Sequence, residues 1–146
     1  MQPADNPFFA PSDLPYALPP FDQIGVENYL PAFQRGMADQ RAEVAAIAAD
    51  PEPPSFENTL VALERSGRLL ERVSAVFFNQ ASSDTNPEVE RVQEEVAPKL
   101  AAHSDAIHLD QALFARIDEL HRNRDGLGLD AESLWLLERY HTDFVR

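Results

Sequence analysis

The sequence predicts an all-α fold, a bundle of about five helices preceded by a proline-rich extended arm. In several long segments, apolar residues recur at steps of three, four or seven, as a helix turning every 3.6 residues requires. These segments begin after residues that favour helix N-caps, and stretches containing proline or glycine separate them. With 146 residues, the chain is long enough for one domain with a substantial core.

The segment 55–81 is predicted to form a single central helix. Ser55 can cap its start, because a serine oxygen accepts hydrogen bonds from the N–H groups of the first turn. Ser66 and Gly67 are predicted to lie inside this helix. Two apolar rows run along the segment, so we expect neighbours on more than one side: Phe56, Leu60, Leu63, Leu70 and Phe77 in one row, and Val61, Leu69, Val73, Val76 and Phe78 in the other.

Residues 1–25 are predicted to form the extended arm. They contain six prolines, which lack the N–H that a helix needs and bias the preceding residues toward extended geometry. The same segment carries large apolar side chains, among them Phe8, Phe9 and Phe21, which disordered tails rarely contain. We therefore expect the arm to pack on the helices and residues 26–146 to form the helical domain; the alternative is an unattached tail.

The first helix is predicted to run from about Glu27 to Ala49, with an apolar stripe that includes Phe33. A glycine in its middle, Gly36, lowers helix stability and therefore suggests close approach by a neighbouring helix. The short proline-rich link 50–55 leads directly into the central helix. We therefore expect the first and central helices to be antiparallel neighbours.

Three further helices are predicted to follow. Asn86 caps the third, Pro87 occupies its first position, and Pro98 should kink it near residues 94–95. Asp110 caps the fourth helix, which ends at the glycine-rich stretch 125–128, and Asp130 caps the fifth. The fifth helix directs these side chains inward: Leu134, Leu137, Tyr140 or His141, and Phe144.

Composition limits the function classes. The formal charge of −13 argues against nucleic acid as a partner, because phosphate binding needs a surface rich in lysine and arginine. The chain has no cysteine, which excludes disulfides, thiolate zinc sites and cysteine nucleophiles. No apolar run approaches the ~20 residues of a membrane span, and the N-terminus lacks signal-peptide features. We expect a cytoplasmic protein, or a periplasmic one if a signal peptide was removed before Met1.

The residues that could carry chemistry do not assemble into a site by spacing alone. A helical zinc site needs two histidines four residues apart, and His103, His108, His121 and His141 contain no such pair. Glu138 and His141 share a helix face, but two ligands are too few. The acidic group at residues 88–95 is interpreted as a solvated face near a helix N-terminus. Trp135 is interpreted as a core or interface residue.

One continuous set of segments resembles a known family. The chain is similar to the N-terminal region of bacterial peptidyl-dipeptidases, also called dipeptidyl carboxypeptidases, which belong to the thimet oligopeptidase family of zinc metallopeptidases. The arm pattern LPY-x-x-PPFDQI favours that branch over its oligopeptidase relatives. The resemblance rests on NPFFAPSDLPYALPPFDQI (Asn6–Ile24), YLPAF (Tyr29–Phe33), Gly36–Met37, FENTLVALERSG (Phe56–Gly67), RVSAVFFN (Arg72–Asn79), EVAPKLAAHSDAI (Glu95–Ile107), LFARID (Leu113–Asp118) and LERYHTDFVR (Leu137–Arg146).

The resemblance implies a long, mostly helical enzyme of two lobes around a deep channel. In such an enzyme, zinc polarises the scissile carbonyl, a glutamate activates water, and C-terminal dipeptides are released from short peptides. The His-Glu-x-x-His motif and the third zinc ligand would lie far beyond residue 146. We therefore expect this segment to wall the substrate channel, to pack against the remaining C-terminal lobe and to be inactive alone. We predict no catalytic, cofactor-binding or metal-binding residue in it.

A second reading remains open. The chain could be a free-standing helical module that binds a protein partner through an exposed apolar face and has no enzymatic activity. An apolar patch does not separate the two readings, because a missing lobe would expose one as well.

Overall fold

The computed structural model describes residues 6–9, 14, 23–83 and 86–145. These residues form helices and no strand, so the predicted all-α fold is confirmed. The helices are a 3₁₀ turn at Pro7–Phe9, α1 at Val26–Ala48, a π-helical segment at Phe56–Val61, α2 at Ala62–Arg65, α3 at Arg68–Ser83, α4 at Pro87–His108, α5 at Gln111–Arg122, a 3₁₀ turn at Arg124–Gly126 and α6 at Ala131–Val145.

The central segment is interrupted, and the prediction of one continuous helix is wrong. Ser66 is extended, with φ −74° and ψ 154°, and its hydroxyl donates to the carbonyl oxygen of Leu63 at 2.7 Å. Gly67 follows with φ +72°, a left-handed backbone conformation that costs free energy for a residue with a β-carbon. The helix therefore ends at Arg65 and restarts at Arg68. Apolar periodicity missed the break because it continues in phase on both sides.

The predicted N-caps are present. Each of the four capping side chains accepts a hydrogen bond from a backbone N–H of the first turn, which satisfies a donor that the helix itself leaves unpaired. The distances lie between 2.7 and 3.0 Å for the four pairs of acceptor side chain and donor N–H: Ser55 with Asn58, Asn86 with Val89, Asp110 with Leu113, and Asp130 with Ser133. The N–H of Ser133 also lowers the pKa of the Asp130 carboxyl group.

The chain divides into two compact units. The first contains the described residues up to Gln40 together with Gly67–Ala101. Its core is aromatic: Phe77 contacts Tyr29 and Phe33 edge to face, with ring centroids 4.9 and 5.4 Å apart. Burial raises the pKa of the Tyr29 hydroxyl, which donates to Gln80.

Within this unit, α1 and α3 are antiparallel and almost touch at Gly36. A β-carbon added there would lie 2.9 Å from the backbone Cα and N of Leu70. The close approach predicted from this glycine is therefore confirmed. The antiparallel order is visible along the same interface, where Phe33 meets Phe77 and Tyr29 reaches Gln80.

Residues 6–9 are the first described part of the predicted arm. Phe8 is buried against Tyr29, and its carbonyl oxygen accepts a hydrogen bond from the Arg72 guanidinium group. The Asn6 side chain donates to the carbonyl oxygen of Asn28 at 2.9 Å. Residues 10–13 and 15–22 lie outside the described residues. The division of the chain into residues 1–25 and 26–146 stays a prediction.

The second unit contains Arg41–Ser66 and the described residues from Ala102 onward. Leu60, Leu113 and Leu137 are among its fully buried side chains. In α6, Leu137 alone is buried, while other inward residues of the predicted stripe are half-buried. Elsewhere, α4 is continuous across Pro98, and the kink predicted there stays a prediction.

Candidate functional site

The four histidines lie in different environments. His103 is buried in α4; burial lowers the pKa of its imidazole, and the nearby Arg41 charge lowers it further. His108 lies at the exposed end of α4, where its Nδ1 atom is 2.8 Å from the carbonyl oxygen of Ser104. The remaining two histidines lie together, although 20 positions separate them in the sequence.

His121 of α5 and His141 of α6 stack face to face. Their ring centroids are 3.8 Å apart and their planes are within 4° of parallel. Each ring also meets a carboxylate: His121 Nε2 is 3.3 Å from Glu138 Oε2, and His141 Nε2 is 3.1 Å from Asp118 Oδ1. Sequence spacing had identified only Glu138 and His141 as neighbours, because the other two residues arrive from a different helix.

Each of these carboxylates is also paired with an arginine. Arg122 Nη2 lies 2.9 Å from Asp118 Oδ2, and Arg124 Nε lies 3.2 Å from Glu138 Oε1. The result is two similar rows of arginine, carboxylate and imidazole that meet at the stacked rings. We call these six residues the histidine stack: Asp118, His121, Arg122, Arg124, Glu138 and His141.

The histidine stack does not fit a zinc ion. An imidazole binds a metal through a nitrogen lone pair that lies in the ring plane. Two nearly parallel, stacked rings whose centroids are 3.8 Å apart cannot both direct an in-plane lone pair at the same ion. Within residues 6–9, 14, 23–83 and 86–145, no three histidine, aspartate or glutamate side chains are arranged to hold a metal. The absence of site residues from this segment stays a prediction, since other residues are not described.

Arg116 connects α5 to the loop before the π-helical segment. Its side chain is buried, and all its hydrogen-bond acceptors are neutral oxygens. Nη1 donates to the carbonyl oxygens of Asp50 at 3.0 Å and Glu52 at 3.2 Å, Nη2 donates to Asn58 Oδ1 at 3.1 Å, and Nε approaches Thr59 Oγ1 at 3.4 Å. The planar guanidinium group therefore holds this loop at several points. Sequence periodicity gave no sign of this contact.

Trp135 lies on the outer side of α6. Its side chain is 60% exposed, so it is not a core residue, and the interface alternative remains. The Arg139 guanidinium carbon lies 5.5 Å from the Trp135 ring centroid, within the range of a cation–π contact. Beside this pair is a groove of about 260 Å³ lined by Glu64, Leu136, Arg139, Tyr140 and Asp143. Burial raises the pKa of Tyr140, whose hydroxyl donates to Glu64, and that carboxylate raises the pKa further.

A larger groove lies in the first unit, between the first turns of α1 and α4. It encloses about 520 Å³ and is lined by Val26, Glu27, Leu30, Pro31, Glu88, Arg91, Val92 and Glu95.

The carboxylates predicted to form a solvated face are all exposed, which confirms that interpretation: Glu88, Glu90, Glu94 and Glu95. Among the described residues, no helix is both long enough and apolar enough to cross a membrane.

The proteins that this helical chain resembles are peptidases. It is 49% identical over 140 residues to a dipeptidyl carboxypeptidase of Escherichia coli (strain K12), an alignment covering 96% of this chain and 21% of that protein. A dipeptidyl carboxypeptidase of Salmonella typhimurium is 47% identical over the same shares. Oligopeptidase A of Salmonella typhimurium is 30% identical over 76% of this chain and 16% of its own length. No protein-family model matches.

The resemblance stated from the sequence is therefore confirmed. The chain matches the N-terminal region of bacterial dipeptidyl carboxypeptidases and is more similar to them than to oligopeptidase A. It spans about one fifth of the length of the dipeptidyl carboxypeptidases that it matches.

Proposed function

We propose that this chain is the N-terminal helical part of a zinc metallopeptidase that releases C-terminal dipeptides from short peptides. The observation that carries the proposal is 49% identity to a dipeptidyl carboxypeptidase across 96% of the chain. The all-α fold supports the proposed role, because a helical wall can restrict access to a channel without supplying catalytic groups. In this proposal, the segment shapes substrate access, and the zinc and the catalytic residues belong to the rest of the protein.

The proposal has a direct test. The 146-residue chain and the full-length protein are incubated separately with an internally quenched peptide that has a free C-terminus. We expect the full-length protein to release C-terminal dipeptides in a chelator-sensitive manner, and the 146-residue chain to bind no stoichiometric zinc and to cleave nothing. Chelator-sensitive turnover by the purified 146-residue chain would contradict the proposal that the zinc and the catalytic residues belong to the rest of the protein.

A second candidate is a free-standing helical module that binds another protein through the exposed side of α6. The reading frame downstream of residue 146 separates the candidates. A His-Glu-x-x-His motif several hundred residues downstream supports the peptidase, whereas a stop codon directly after Arg146 supports the module. We propose that the partners are short peptides and the C-terminal lobe, with no role for nucleic acid or membranes. We propose a cytoplasmic location, or alternatively a periplasmic one. Cell fractionation can distinguish the two locations.

A further inference from the structure

Helix α6 has two opposite faces with very different exposure. Leu137 has no exposed surface, whereas Trp135 is 60% exposed. Because successive residues of an α-helix are about 100° apart, Trp135 projects about 160° away from Leu137. One face of α6 therefore closes the core of its unit, and the opposite face carries the only tryptophan of the chain into solvent.

The outer face has the composition of a binding surface. Tryptophan, tyrosine and arginine are the residues that most often dominate interface energies. On this face Trp135 and Arg139 are in cation–π contact. Arg139 also lines the neighbouring groove, whose Leu136 and Tyr140 lie to the side of α6, between the outer face and the core.

We infer that the outer face of α6 is covered, in the full-length protein, by polypeptide from outside the matched N-terminal region. This inference rests on the proposed function. About four-fifths of each related dipeptidyl carboxypeptidase lies outside the region that this chain matches, which provides ample chain to cover the face. Burial of an indole removes on the order of 200 Å² of surface from water, a substantial gain for association.

The charges of the groove specify the occupant further. Two acidic residues, Glu64 and Asp143, and one basic residue, Arg139, line the groove, so acidic groups outnumber basic ones there. An occupant that places an apolar side chain on Trp135 and a lysine or arginine over the groove matches this arrangement. The covering segment should therefore be apolar with at least one basic residue.

Hydroxyl-radical footprinting tests the inference on the protein as it exists. The oxidation rate of Trp135 is measured by mass spectrometry in the 146-residue chain and in the full-length protein, with buried Phe77 as an internal reference. We expect Trp135 to react at least threefold more slowly in the full-length protein, at every protein concentration. An unchanged rate would overturn the inference, as would protection that disappears on dilution, since the latter indicates a second copy as the occupant.

Two matched variants give an independent readout. Trp135→Glu should lower the urea midpoint of the full-length protein but leave that of the 146-residue chain within error. Leu109→Glu replaces another exposed apolar residue, one that is 77% exposed, and serves as the control. Equal effects of the two variants on the full-length protein would overturn the inference.

Dipeptide release, assayed on the same full-length sample, separates this inference from the proposed function. If the full-length protein releases dipeptides but Trp135 is oxidised as fast as in the 146-residue chain, the inference about α6 is wrong and the proposed function stands. A protected Trp135 without dipeptide release overturns the proposed activity and supports the surface.

Discussion

His121 and His141 lie in parallel planes 3.8 Å apart and couple α5 to α6. Each imidazole has its own carboxylate and, through it, its own arginine, so the contact joins two similar polar rows. We expect this arrangement to stabilise the packing of α5 against α6. The one histidine–glutamate pair visible in the sequence, Glu138 and His141, therefore belongs to this arrangement of stacked rings and carboxylates.

The stack can be tested by a double-mutant cycle on His121→Ala, His141→Ala and the double variant. Stacked aromatic pairs contribute about 0.5 to 1.5 kcal/mol beyond the area they bury, so we expect a coupling energy in that range. Urea unfolding of all four proteins at one fixed pH measures it. A coupling energy near zero would show that the rings are neighbours without mutual stabilisation.

Arg116 is expected to be the most sensitive arginine of the second unit. Arg116→Ala removes a buried donor from several carbonyl and amide oxygens, and we expect a loss of about 2 to 3 kcal/mol in the free energy of unfolding. Arg116→Lys should recover only part of this loss, because an ammonium group lacks the planar fork. Chemical denaturation provides the measurement.

Arg35→Ala is the matched control for Arg116. Arg35 forms an exposed ion pair with Asp39 at 3.2 Å, and exposed pairs of this kind contribute about 0 to 1 kcal/mol. If the Arg35 and Arg116 variants were equally stable, the network around Arg116 would have no special structural role.

Gly36 should tolerate no larger residue. A β-carbon at this position meets the backbone of Leu70 at 2.9 Å, so α1 and α3 would have to move apart. Such overpacking costs about 1 to 3 kcal/mol, against a gain of about 1 kcal/mol in helix propensity for alanine. We therefore expect Gly36→Ala to lower the free energy of unfolding by up to about 2 kcal/mol.

Gly126→Ala provides the comparison for Gly36. A β-carbon at Gly126 meets nothing within 4 Å, so the expected change is within about 0.5 kcal/mol. Thermal unfolding of the two variants side by side measures the difference. A stabilised Gly36→Ala variant would show that the helices can separate without cost.

His103 should make the chain less stable in acid. Its pKa is lowered from 6.5 in the folded state by burial and then by Arg41. Above about pH 6.5 neither state binds the proton, and the contribution to stability is complete. As the pH falls, the unfolded chain takes up the proton first, so the free energy of unfolding decreases until the pH passes the lowered pKa of the folded state.

This pH dependence can be measured by urea unfolding between pH 8 and pH 5, on the natural chain and on His103→Gln. The variant should lose less stability over that interval, whatever its stability at pH 8. Proton NMR titration of the His103 ring provides a direct check. A midpoint at or above 6.5 in the folded protein would contradict the prediction.

The sequence by itself determined the helices, apart from the break at Ser66 and Gly67, and also four of their caps and the close approach at Gly36. The caps depend on neighbours within a few positions: Ser55, Asp110 and Asp130 cap helices because their side chains reach the next turn. The approach at Gly36 involves the distant Leu70, but a glycine inside a helix is itself a local signal of it. The sequence also carried the resemblance to dipeptidyl carboxypeptidases, because identity along the chain needs no coordinates.

Only the tertiary structure decided which distant residues meet. The stacking of His121 on His141 depends on how α5 and α6 pack, and the hydrogen bonds of Arg116 span more than 50 positions of the chain. The break at Gly67 also became visible only in the structure, because apolar periodicity continues on both sides of it and does not report the positive φ of one glycine. Trp135 is interpreted from the sequence as core or interface, and the burial of Leu137 then fixes the orientation of α6 and places Trp135 on its outer face. Side-chain periodicity defines a face, whereas packing decides what that face contacts.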